Sequence, residues 1–93
     1  MRAIWNDVVL AESDATIMVE GNHYFPPEAL QQSYFQESTK HSTCPWKGRA
    51  SYLDVVVDGT ENPAAAWSYH EPMPAAEEIR DYIAFWHGVR IEA

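Results

Sequence analysis

Ala50-Ser51-Tyr52-Leu53-Asp54-Val55-Val56-Val57-Asp58-Gly59 is the stretch that decides the fold. Aromatic and β-branched residues fill most of positions 52 to 57, which suits a pleated, half-buried strand. Asp58-Gly59 closes the run as a tight turn, because a two-residue hairpin loop favours residues that tolerate positive φ. Downstream, Asn62-Pro63 begins the next element. Ala64 to Tyr69 then returns as a strand carrying Trp67 and Tyr69. Upstream lies a polar stretch, Thr39 to Gly48, expected as a loop that is rigid at Pro45 and flexible at Gly48. The residue before a proline is pushed out of helical geometry, so Cys44 is expected to be extended.

The remaining segments repeat the pattern. Arg2 to Trp5 and Val8 to Glu12 flank Asn6-Asp7 as a hairpin, and Thr16 to Glu20 meets Gly21-Asn22 before His23-Tyr24-Phe25 returns. Pro26-Pro27 stops this meander, because proline cannot donate to a ladder. Pro27 to Gln31 suits a single helical turn, and Ser33 to Glu37 a short strand. Pro74 precedes Ala75 to Asp81, the best helix candidate, whose Ile79 and Ala76 must pack on the sheet because so short a helix is unstable alone. Tyr82 to Trp86 and Val89 to Glu92 flank His87-Gly88 as a final hairpin. Short strands at close spacing predict a mainly β, antiparallel, single domain over residues 1–93 with one or two short helices.

Composition bounds the function. A chain of 93 residues has a thin core, offset here by twelve aromatic residues. A formal charge of −8 opposes nucleic-acid binding and adhesion to an anionic membrane. One cysteine excludes an internal disulfide, and no apolar run suggests a signal or a span, so a soluble, cytoplasmic protein is expected. Lys40, Lys47 and Arg49 place a charge of +3 between Glu37 and Asp54, where no carboxylate occurs.

Thr43-Cys44-Pro45-Trp46-Lys47-Gly48 sits inside that basic patch. Cys44 is read either as a nucleophile, its thiol activated by Lys47 and His41, or as a small buried apolar residue. Lys47 is read as an anion ligand or amine nucleophile, or as a lysine whose stem packs on Trp46. Gly48 permits close approach of a ligand or of backbone. Arg49 and Lys40 extend the patch or are plain surface charges. Tyr52 and Tyr69, with Trp46 and Trp67, either wall a pocket or fill the sheet. His41-x-x-Cys44 is the only short histidine–cysteine spacing, and neither metal nor cofactor is expected.

The chain resembles a small bacterial and fungal domain-of-unknown-function family, sometimes filed under a nucleotidyltransferase heading. The resemblance rests on Ala3-x-Trp5-Asn6, Val9 to Ser13, Tyr24-Phe25-Pro26, Thr43 to Gly48 with Tyr52, Ala65 to Tyr69 with Pro72, and Ile83 to Trp86. It implies a β-tent fold like that of the Mss-four-like group, without the paired Cys-x-x-Cys zinc site. Nucleotidyl transfer usually needs closely spaced carboxylates for Mg²⁺, and Asp54 and Asp58 lie four strand residues apart.

The resulting expectation is a small anionic ligand bound by Cys44, Trp46, Lys47, Arg49, Tyr52 and Trp67, with Cys44, Lys47 and Tyr52 as the candidates for any catalysis. A non-enzymatic interaction or scaffold module, and a thiol-dependent enzyme using Cys44, are the alternatives. The small core leaves a homodimer open.

Overall fold

The structure, a computed structural model, describes residues 1–93. Nine strands form three antiparallel sheets. Strands β1 (Arg2–Trp5) and β2 (Val8–Glu12) make the first hairpin, and β3 (Ile17–Val19) and β4 (Asn22–Tyr24) the second. After two single 3-10 turns, Pro27–Ala29 and Gln32–Tyr34, come the long strands β5 (Phe35–Cys44), β6 (Gly48–Val57) and β7 (Thr60–Ser68). A 3-10 segment, Pro74–Ile79, leads to β8 (Ile83–Phe85) and β9 (Arg90–Glu92). The sheets are ordered β2-β1-β9, β3-β4 and β5-β6-β7-β8. A compact, mainly β domain results, as the turn chemistry predicts. Asn6-Asp7 and Asp58-Gly59 all take the positive φ that their hairpins demand.

Four expectations are corrected. Thr39 to Gly48 is not a loop: β5 continues to Cys44, paired Ser42 with Ala50 and Cys44 with Gly48, leaving only Pro45–Lys47 as the turn. The hydrogen bonds of β6 hold this polar strand extended, with little help from its own side chains. Asn62-Pro63 does not open β7 but lies inside it, at a bulge, which accommodates a residue with no N–H. Ala75 to Asp81 is no α-helix: the 3-10 segment breaks at Ala76 (φ −115°), yet it buries Ala76 and Ile79 as required. Tyr82 to Trp86 and Val89 to Glu92 form no hairpin. β8 joins β7 and β9 joins β1, so the turn at Trp86–Val89 hands the chain from one sheet to another.

The long sheet has cores on both faces. Val55, Val57, Ile83 and Phe85 meet Ala3, Leu10 and Ala11 of the first sheet, and Phe85 packs edge-on against Phe25 at 5.6 Å between centroids. Ala50, Tyr52, Trp67 and Ala84 point the other way, under Tyr24, Ala76 and Ile79. Strand alternation thus divides one sheet between two small cores.

Candidate functional site

The Pro45–Lys47 turn is bolted to the connector that follows β7. Gly48 has φ +113°, and a Cβ there would stand 3.3 Å from the Glu71 carbonyl oxygen and 3.4 Å from the Met73 nitrogen. The Met73 N–H donates to the Lys47 carbonyl at 2.9 Å. Glycine at 48 is therefore required twice, for its φ and for the backbone crossing it. Lys47 itself is only 7% exposed.

The Lys47 ammonium donates to Oε1 of Glu20, in the turn between β3 and β4. The rings of Trp46 and Tyr69 stand 5.5 and 5.6 Å from Nζ, within cation–π range. Burial alone pushes the ammonium toward its neutral form, but the Glu20 hydrogen bond and the field of Tyr24 and Tyr69 overcome it. The pKa is pushed up to about 12. Glu20 is correspondingly held below the usual carboxylate range, first by its hydrogen bond to Lys47. Burial raises both Tyr24 and Tyr69, so their phenols stay neutral well beyond the physiological range. An ammonium held charged in this way is a donor and counter-ion, not an amine nucleophile.

The remaining candidates fall into two groups. Trp67 is buried, and its Nε1 donates to the Tyr24 hydroxyl at 3.1 Å, which supports the Lys47 cluster from behind. Cys44, at the end of β5, is half-buried against the core on the same face. Tyr52 shares the face of Trp67, its register partner, but makes its polar contacts away from Lys47. Its hydroxyl pairs with the Ser42 hydroxyl at 2.8 Å, its ring tilts over Trp86 at 6.0 Å, and Lys40 lies 4.9 Å above it. Arg49 is exposed on β6, opposite Thr43, and joins no ion pair. The basic patch is therefore dispersed: Lys47 points inward, Lys40 lies on aromatic rings and Arg49 faces solvent. Sequence reasoning missed Glu20, Tyr24 and Trp86. The only cue for Glu20 was its place beside Gly21 in a hairpin turn, since 27 residues separate it from Lys47.

Asp54 is engaged as well. Its carboxylate accepts the Ala64 N–H at 2.7 Å, filling the ladder where β7 bulges. No three His, Cys, Asp or Glu side chains stand together closely enough to hold a metal ion. No helix is long and apolar enough to cross a membrane.

Fold and site together define a class: a small antiparallel β domain built around one buried, ion-paired lysine in the turn between its two longest strands. The chain belongs to the family described as "Domain of unknown function (DUF427)", which matches residues 1–93. No curated protein matches it.

Proposed function

We propose that the domain binds a small anionic molecule, of the carboxylate or phosphate class, at Lys47. One observation carries this reading. The counter-charge of the buried ammonium comes from Glu20, an exposed residue on a separate two-stranded hairpin, and the Trp46 ring beside it is 40% exposed. A ligand anion takes the place of the Glu20 carboxylate, with its remaining atoms against Trp46. Cys44 and Arg49 stand at the neighbouring strand ends, while Trp67 and Tyr24 hold the floor. Tyr52 lies outside this site.

Acetate and inorganic phosphate, titrated separately and followed by amide chemical shifts, test the proposal. Glu20→Gln frees the ammonium and is expected to bind either anion more tightly than wild type. Lys47→Met is expected to abolish the response. An absence of saturable shifts around Lys47 in Glu20→Gln overturns the reading.

A second reading, a protein-interaction module, draws on one feature. Trp46 and Met73, 40% and 47% exposed, stand on the two segments joined by the Lys47–Met73 hydrogen bond. A stoichiometric partner lost on Trp46→Ser, with anion titrations silent, favours it.

A further inference from the structure

A cleft of about 590 Å³ opens on the opposite face of the long sheet. Its floor is one lateral row across four strands, His41, Ser51, Ser68 and Ile83, each the register partner of the next. Volumes of this size suit a small molecule. Of the residues first expected at the anion site only Tyr52 also borders it; Cys44, Trp46, Lys47, Arg49 and Trp67 do not.

Two observations mark it as more than a surface dent. Ser68 is 96% buried, yet its hydroxyl has no hydrogen-bond partner within the protein. No fully enclosed side-chain N or O atom lacks a partner, so this hydroxyl opens onto the cleft that it lines. Secondly, the rim is hydrogen-bonded. His70 Nδ1 lies 2.8 Å from Asp81 Oδ1, the Asp81 N–H donates to the Tyr69 carbonyl at 3.0 Å, and Arg80 Nη1 donates to the His70 carbonyl at 2.9 Å. Asp81 holds this position with a φ of +61°. The aspartate thereby fixes the His70 ring through Nδ1 and leaves its Nε2 unengaged.

The lining also selects a charge. It contains Glu37 and Asp81 but no lysine or arginine, and Leu30 and Leu53 supply apolar wall. From the hydrogen-bonded rim, the open buried hydroxyl and a lining that holds the unpaired Glu37 carboxylate but no lysine or arginine, we infer that this cleft is a second binding site, for a small amine-bearing polyol such as an amino sugar. Hydroxyls of such a ligand meet Ser51 and Ser68. Its ammonium meets Glu37, and its carbon skeleton lies against the leucines.

Three probes on one scaffold test this inference: glucosamine, glucose and glucuronate, which are cationic, neutral and anionic at neutral pH. Each is titrated into the intact domain and followed by amide chemical shifts. Saturable shifts at Ser51, Ser68 and His70 are expected with glucosamine, in the millimolar range, and about tenfold weaker binding of glucuronate. Ser68→Ala removes the hydroxyl and adds no atom, and is expected to weaken glucosamine about fivefold to tenfold. If Ser68→Ala does not fold, Glu37→Gln on the exposed rim carries the test, and the preference for glucosamine over glucuronate must shrink. Equal or tighter binding of glucuronate overturns the inference. So do silence toward all three sugars and shifts confined to the Lys47 turn.

Discussion

The raised proton affinity of Lys47 makes a quantitative prediction about alkaline unfolding. In the unfolded chain the ammonium loses its proton near the ordinary 10.5, and in the native protein near about 12. A basic group whose native pKa is raised stabilises the fold fully below its unfolded pKa and loses that contribution as pH climbs through the native value. The window is therefore pH 10.5 to about 12. The shift is equivalent to about 2 kcal/mol, reduced to about 1–2 kcal/mol because the partner carboxylate is in water. Lys47→Met keeps most of the stem volume and removes the titrating group. Its stability near neutral pH is expected to lie within about 1.5 kcal/mol of wild type. Its fall across the alkaline window is expected to be shallower than wild type by about 1–2 kcal/mol. Tyr24 and Tyr69 are raised acids that the unfolded chain ionises first, and because the ammonium lowers both phenols, their decline steepens in Lys47→Met and offsets part of this difference. Urea denaturation at a series of pH values, from neutral to strongly alkaline, measures the difference. Alkaline limbs that superimpose for the two proteins would refute the argument, because Lys47 would then titrate alike folded and unfolded.

Gly48→Ala, strained at φ +113° and pressed on the Glu71 carbonyl, is expected to cost about 2–3 kcal/mol. In a domain of this size that lowers Tm by roughly 10 °C or more, readable by calorimetry. Tyr24→Phe leaves the Trp67 indole N–H without its acceptor, at a cost of about 1–3 kcal/mol. An unchanged urea midpoint would show that water replaces the phenol. The Cys44 thiol, half-buried against the core, is expected to alkylate in the native protein more slowly than in denaturant, as read by intact mass. Native labelling as fast as denatured labelling would restore the thiol-enzyme alternative. Phe85→Ala, which empties the centre of the Phe25–Phe35–Phe85 cluster, is expected to cost about 3–5 kcal/mol.

What could be read from the chain was local. The hairpin turns at Asn6-Asp7 and Asp58-Gly59 carry their own backbone requirement, and Tyr52 to Val57 its own strand signal; Gly21-Asn22 marked the other hairpin one residue late, since Glu20 and Gly21 form its turn and Asn22 opens β4. The second half of β5 carries neither. Gln36 to Thr43 is almost entirely polar because the strand lies at the edge of its sheet, with β6 supplying the hydrogen bonds. Such a strand shows no apolar alternation and resembles a loop. The final strands failed as a hairpin for a related reason: their turn is real, but their partners, β7 and β1, lie far back in the chain. The candidate site follows the same division. Lys47 and Trp46 were visible as an odd basic element, whereas Glu20 and Tyr24 reach them only once β3 and β4 pack over the long sheet. The cleft floor was invisible, since His41, Ser51 and Ser68 meet only through register.

The interruption in β5 has a further consequence. Between Glu37 and His41 the strand carries more residues than β6 opposite it, and Lys40 is turned over the Tyr52 and Trp86 rings, its N–H taken by the Ser38 hydroxyl. A ten-residue outer strand with a regular row of vacant amides and carbonyls invites another copy of the chain to add itself, and then another. The bulge breaks that row near its middle and sets an ammonium beside the gap. An incoming strand meets a kinked, charged border instead of a straight template, and the domain is guarded against growing into fibres along its longest free side.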